Sequence, residues 1–499
     1  MFSRTFLRTL LSIFLVAIFT PLLIAQHEDV EQISSTITQQ DVEFDIYFLA
    51  SDEFLGRDTG TQELKIASRY IATRFQTYGI NKPEEYDSYF QDVPLQRISA
   101  PEKIHFTAGD SSYHKDTDLI TLGGVRDSLH APIIVLEHAT EEELAETDVE
   151  GAIVIAEAGL PGQTSPQQFF QSTPDKMEWV QQAGGIALIE LYTTRMFPWQ
   201  VLVNFLGGEQ IISYDPEQAE IPVLWMNAAD GSRIEFLTEM SSSESMLQIS
   251  GNEPDRFTSR NVIGVLEGTD PYLKDEYILL GAHYDHLGVV PGQTEGNYIY
   301  NGARDNAVGT SGVLAAAKYF SENPPKRSII FATWTAEEVG LLGSAYYAEN
   351  PAVPLENTIY NLNIDGAGYN DTTKVTVIGL GRTEADDEMI AAADAFGLEA
   401  IPDPVPEQNL FDRSDNVNFA QKGIPAPTYS MGITAFDEEI EKYYHQVTDE
   451  PDTINYDYVT NYIRSFVLAT LKISEREEAP FWISGDVYEE AGKQQYGRD

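Results

Sequence analysis

The sequence predicts an α/β fold, a mostly parallel mixed sheet sandwiched by helices, with an inserted, mainly β segment. Three observations carry this. From Asn261 onward, strand-like runs at Val262–Leu266, Tyr277–Ala282, Ser328–Trp334, Thr358–Ile364, Val375–Ile378 and Ile424–Tyr429 alternate with helical patterns at Thr310–Phe320, Leu341–Glu349, Thr383–Phe396, Ser414–Gln421 and Tyr456–Ile473. Strands alternating with helices imply a largely parallel sheet covered by helices. Second, these runs end in polar, chemically loaded residues, and in such sheets the site lies outside the carboxyl ends of the strands. Third, the texture changes over residues 113–255. Short apolar strands at Ala131–Leu136, Gly151–Ala156, Gly185–Leu191, Ile221–Trp225 and Met246–Ile249 accompany one helix at Asp175–Ala183 there.

The preceding segment, 26–112, carries a Gly-rich stretch, Leu55–Thr61, then a helix at Glu63–Gly79 in which Leu64, Ala67, Ile71 and Phe75 recur at helical spacing. Tyr89–Leu95 reads as a strand. Residues 256–475 form the second part of the main domain, and 476–499 an acidic tail with Trp482 and Tyr488 as anchors. Residues 1–25 read as an export signal. Arg4 and Arg8 precede an almost purely apolar run from Thr9 to Ala25, with a cleavage point at Ala25. The alternative is an uncleaved anchor. Cleavage would give an exported protein, periplasmic or secreted, with no membrane segment.

Asp and Glu number 79 against 31 Lys and Arg, a formal charge of −48 over 499 residues. Such a charge repels phosphate backbones and makes nucleic acid and anionic lipid poor partners. With no cysteine, disulfides, thiolate-bound zinc, iron–sulfur clusters and thiol nucleophiles are excluded. Any metal must be held by His and carboxylates.

Five segments at strand ends carry the chemistry. In Gly281–Gly288, His283 and Asp285 point the same way because strand residues alternate faces. Asp305 precedes a helix and on its own reads as a cap. Glu337 and Glu338 follow Ser328–Trp334, and alone they read as solvated acids at a helix start. Asp365 ends Thr358–Ile364, and His445 lies in a loop before the last helix. Each is weak by itself. Together, two His and several acids at successive strand ends of one sheet suit two divalent ions, with a bridging carboxylate and zinc as the metal.

At these residues the sequence resembles the M28 metallopeptidases, bacterial zinc aminopeptidases with a co-catalytic zinc pair. The five segments match that family's motifs in content, order and spacing, and Ser51–Thr61 resembles its N-terminal signature. Residues 113–255, notably Lys176–Leu191, resemble a protease-associated domain. The resemblance implies the zinc-exopeptidase, phosphorylase/hydrolase-like fold, two Zn2+ per chain and a peptide substrate. It implies that His283 and Asp365 complete one zinc site, Glu338 and His445 the other, and that Asp305 bridges them. Asp285 would orient His283, Glu337 would be general base and later acid, and a cis peptide would follow Asp305. Two departures stand out. Arg304 precedes the bridging acid, and Asn416 stands where His is common, which bears on the lining of the specificity pocket. A glutaminyl cyclase, a carboxypeptidase and a non-catalytic receptor-like relative share the scaffold. Retention of both Glu337 and Glu338 with all five ligand positions argues for hydrolysis. His286 has two readings, lining the site or capping the strand end.

Overall fold

The computed structural model describes residues 27–122, 127–163, 166–194, 198–206, 208–214, 221–228, 243–251 and 253–498. The export signal expected over residues 1–25 lies outside them. Among the described residues no helix is long and apolar enough to cross a membrane. The chain forms two compact units, Met1–Val93 with Ser259–Asp499, and Pro94–Thr258.

In chain order the elements that build the first unit are α1 (Gln39–Leu49), α2 (Gln62–Tyr78), β1 (Phe90–Ile98), β2 (Asp255–Leu266), β3 (Tyr277–His283), α3 (Val308–Glu322), β4 (Ser328–Trp334), α4 (Leu342–Glu349), β5 (Thr358–Ile364), β6 (Lys374–Ile378), α5 (Asp386–Ala395), β7 (Glu399–Pro402), α6 (Asn416–Gln421), β8 (Thr428–Met431) and α7 (Tyr456–Ser474). The strand order is β7-β6-β8-β5-β3-β4-β2-β1. β8, β5, β3 and β4 run parallel at the centre, while β2 and β6 pair antiparallel with β4 and β8.

Local sequence explains these elements. Thr38 and Asp41 cap α1 reciprocally, and Thr61 caps α2 by accepting from the Leu64 N–H. Gly79 ends α2 at φ 76°, a left-handed position that suits glycine. β4 and β5 are buried at every residue, which is why they are largely apolar, and the asparagines of β5 are hydrogen-bonded, Asn361 to the Leu279 carbonyl and Asn363 to Ser414. The period-2 alternation of β3 sends Ile278, Leu280 and Ala282 to one core, with α2, α3 and α7. It sends Leu279 to the other, with Trp334, Tyr347 and Phe419. The sheet is therefore covered on both faces. The tail closes the second face, since Trp482 is buried there and donates to the Gly423 carbonyl at 2.9 Å.

One strand begins later than its apolar run predicts. Ile424–Tyr429 was expected, and regular pairing starts at Thr428. Pro425 and Pro427 have no N–H to donate, yet their carbonyls accept from Asn361 and Asn363 of β5. The edge strand β7, four residues long with Glu399 at its start and Pro402 at its end, has no period strong enough to reveal it.

The second unit holds an eight-stranded mixed sheet in the order Ser111–His114, Lys103–Ala108, Glu244–Ser250, Ser128–Val135, Ile153–Glu157, Ala187–Tyr192, Val223–Asn227 and Leu119–Thr121. It has two hydrophobic clusters of its own. Between helix Pro166–Gln182 and this sheet, the fully buried Lys176 and Glu190 meet at 2.6 Å. The Glu190 carboxylate also accepts from Thr173 Oγ1 and Trp225 Nε1.

Candidate metal centre

The parallel strands fix the site. His283 ends β3, Glu337 and Glu338 occupy the turn after β4, and Asp365 follows β5 directly. Because β3, β4 and β5 are parallel, all of these lie at one edge of the sheet. Asp305 arrives on the loop before α3. His445 arrives from the loop before α7 at φ 55°, its ring stacked on Tyr444 at 4.0 Å.

His283 Nε2 lies 3.1 Å from Asp305 Oδ1 and 3.2 Å from Asp365 Oδ1. His445 Nε2 lies 3.3 Å from Asp305 Oδ2 and 3.2 Å from Glu338 Oε2. The two oxygens of Asp305 are thus divided between two imidazoles, each with a second carboxylate. His283, Asp305 and Asp365 bring ligand atoms within 4.8 Å of one another, and so do His283, Glu337 and Glu338. Asp305 does not cap α3. The carboxamide of its neighbour Asn306 accepts from the Gly309 N–H at 2.9 Å and donates to the Ile364 carbonyl at 3.0 Å. The Asp305–Asn306 peptide is cis.

Asp285 is fully buried, but its carboxylate stands 3.8 Å from His283 Nδ1, which instead bonds the Asp285 backbone carbonyl at 3.2 Å. The carboxylate accepts from the Glu337 N–H at 3.2 Å, the Glu338 N–H at 3.4 Å and Thr59 Oγ1 at 3.1 Å. Asp285 therefore ties the β3 end to the turn that carries both glutamates.

Four supporting groups, Arg57, Thr59, Ser414 and Asp449, were given no role in the sequence, although each lies inside a segment singled out there. Ser414 Oγ donates to Asp365 Oδ2 at 2.5 Å and accepts from Asn363 Nδ2 at 2.8 Å. Asp449 accepts from the backbone N–H groups of Arg304 and Asp305, and from Arg304 Nη1 at 2.9 Å. Arg304 is thus spent on Asp449 and on Tyr443, whose ring lies 3.7 Å away. The buried guanidinium of Arg57 donates to the carbonyls of Leu49, Tyr284, Asn301 and Gly302 at 2.6–2.9 Å. Thr59, on the same Gly-rich stretch, reaches Asp285. Only long-range pairing, invisible in one sequence, could have found these roles. Asn416 is fully buried and donates to the Ala426 carbonyl at 3.1 Å.

Burial splits the acids electrostatically. It pushes Glu337 well above the usual carboxylate range, helped by the charges of Glu338, Asp365 and Asp415 and opposed by His283. It also lifts Asp285 to about 6 and Asp415 to about 7. Burial would raise Asp305 and Glu338 as well, but imidazoles prevail. Asp305 is held well below its ordinary value by hydrogen bonds from His283 and His445. Glu338 is drawn to about 2 by His286 and His445, against its own burial and the charge of Asp305. Acids whose environments drive them apart mark a site where charge and protons are handled. Nitrogen and oxygen donors without sulfur, facing one another at 3.1–3.3 Å, fit borderline divalent ions such as zinc.

Residues 261–469 match the family model described as Peptidase family M28. The chain is 24% identical over 374 residues to aminopeptidase YwaD of Bacillus subtilis (strain 168), an alignment covering 73% of this chain and 72% of that protein. It is 28% identical over 222 residues to aminopeptidase Y of Saccharomyces cerevisiae, covering 41% of this chain and 37% of that one. In fold it is similar to a solved aminopeptidase from Aneurinibacillus sp. strain AM-1, with a TM-score of 0.52 and 21% identity over 90% of this chain and 97% of the other. The segment that matches the Peptidase family M28 model holds the whole parallel core and the cluster at its strand ends.

Proposed function

We propose that this chain is an exported, zinc-dependent aminopeptidase that holds two Zn2+ and releases the N-terminal residue of a peptide. The observation that carries this reading is the division of Asp305, one oxygen toward each imidazole. It supports Asp305 as the bridge, His283 and Asp365 as ligands on one side, and Glu338 and His445 on the other. The aminopeptidase names of the aligned proteins support the same reaction class.

When bound, the zinc pair lowers the pKa of a water towards neutrality and polarises the scissile carbonyl. Glu337 accepts the proton of the attacking water and returns it to the leaving amine, acting as general base and then acid. Burial among other acids raises its proton affinity, which suits a group that must take up and hold a proton between the two steps. Asp285 holds the Glu337–Glu338 turn through both backbone N–H groups, so the proton carrier and the ligand keep a fixed relation. A cluster so rich in carboxylates favours a free α-ammonium group, which selects the end of the chain. Residues 113–255 are read as a protease-associated-type insertion, and residues 1–25 as a signal removed at Ala25.

The test is a panel of free and N-blocked amino-acyl substrates, assayed with and without a chelator. Free substrates should be cleaved, blocked ones spared, and all cleavage lost on chelation. Cleavage that survives blocking of the amine overturns the exopeptidase assignment. Glu337→Gln should lower kcat by about 10²–10⁴-fold with zinc content unchanged. Near-normal turnover in that variant overturns the role given to Glu337.

A further inference from the structure

His286 is only 1% exposed and lies three residues beyond His283. Its Nδ1 is 2.5 Å from Glu338 Oε1, while the other oxygen, Glu338 Oε2, faces His445. Its own backbone N–H is fixed by the Arg57 carbonyl at 3.1 Å. The ring is seated against Gly302, where a Cβ would fall 2.5 and 2.6 Å from His286 Cδ2 and Cγ, so only glycine leaves room for it. On the far side, Nε2 is buried with no hydrogen-bond partner among the described residues.

A carboxylate that binds a metal through one oxygen can rotate about its last bond. A donor on the second oxygen stops that rotation and sets which lone pair faces the ion, and such outer partners typically matter 10–100-fold for affinity. Here the two oxygens of Glu338 are already divided, one to His286 and one to the side of His445.

We propose that His286 is a positioning residue, donating through Nδ1–H to Glu338 Oε1 and so presenting Oε2 to the second metal. This rests on the reading of the cluster as a metal centre. The alternative role is His286 as a ligand shared with Asp305 and Glu338; ligation through Nδ1 would cost the contact with Glu338 Oε1, and the variants below separate the two roles.

The experiment uses the full chain with His286→Asn, His286→Gln and His286→Ala. The Asn amide can place an N–H where Nδ1 stands, whereas the Gln amide reaches the position of Nε2. Metal-free thermal melts establish that the variants fold. Zinc stoichiometry and affinity are then measured by chelator competition, and the visible spectrum of the cobalt(II)-loaded protein reports coordination. The expected result is two zinc ions in every variant, with affinity at one site about 10–100-fold weaker in the Gln and Ala variants and within about threefold of the parent in the Asn variant. The cobalt(II) band intensity should be unchanged for Asn. Equal affinity in all variants overturns the proposal and leaves the metal reading standing. Loss of one ion from all three, with a changed cobalt(II) spectrum, makes His286 a ligand and overturns it too. If the parent chain takes up no zinc, the metal reading itself fails and this assignment falls with it.

Discussion

Asp305 is where the residue scale is most exposed to test. A carboxylate offers two equivalent oxygens, and Asp305 directs them at different imidazoles. An amide keeps one acceptor and turns the other end into a donor. Asp305→Asn should therefore drop bound zinc below two per chain, measured by elemental analysis on protein with unchanged circular dichroism. Full occupancy would remove Asp305 from the bridging role. Arg57 acts at the same scale from further back. Its guanidinium satisfies four carbonyls on three segments, two of which lead to Asp285 and Asp305. Arg57→Met would leave buried carbonyls unpaired, each costing about 1–3 kcal/mol. We expect urea unfolding to record a loss of about 3 kcal/mol or more, with Arg57→Lys scarcely better because a single ammonium cannot reproduce the fork. A loss under about 1 kcal/mol would mean that water replaces the guanidinium easily.

At the scale of elements, the junction of α3 and β5 decides how precisely Asp305 and Asp365 meet. α3 has glycines where it crosses the end of β5. A Cβ at Gly309 would lie 2.3 Å from Asn306 Oδ1 and 2.5 Å from the Ile364 carbonyl oxygen, whereas one at Gly312 would first meet the tip of the Ile364 side chain, Cδ1, at 2.5 Å. Gly309→Ala should thus destabilise by about 1–3 kcal/mol and reduce zinc binding. Gly312→Ala should cost less, because a side-chain tip can swing aside. Equal effects in denaturant titrations would refute that distinction. The same elements bear on what the sequence could reveal. β3 and β4 were legible because burial leaves a largely apolar run in each, β5 because Ile359, Leu362 and Ile364 flank its two buried asparagines, and α2 because only one of its faces is covered. His283, Glu337–Glu338 and Asp365 were legible as chemistry because strand and loaded residue recur in order, whereas Asp305 and His445 arrive on loops and gained meaning only as members of the set. The Asp285 contacts were not, since alternation of side chains predicts a shared face with His283 but cannot predict that the chain bends after His283 and carries the carboxylate to the Glu337–Glu338 backbone. Ser414, Asp449 and Arg57 act across 49 to 245 residues, distances at which one sequence carries no periodic signal.

For the whole molecule, the division of labour between the two units yields the last expectation. Every candidate ligand lies in the unit Met1–Val93 with Ser259–Asp499, and Pro94–Thr258 supplies none of them while keeping hydrophobic clusters of its own. The chain also carries a formal charge of −48, and the candidate centre packs several acids around three imidazoles, so removing divalent ions restores repulsion there. Ligand binding stabilises only the state that binds, by about 2.7 kcal/mol per site at a hundredfold excess over Kd. Chelation should consequently lower protection in the unit that carries the candidate ligands and leave the other as it was. Hydrogen exchange followed by mass spectrometry can read this peptide by peptide. Segments covering His283–Asp305 and Glu337–Asp365 should exchange faster after chelation, by roughly a factor of ten for each 1.4 kcal/mol lost, and regain protection on adding zinc. Peptides from Ile153–Glu157 and Ala187–Tyr192 should not respond. Equal loss of protection in both units would show that stability is shared between them and that zinc acts beyond the residues holding it. No change in either would mean that the strand-end cluster holds its shape without a cation.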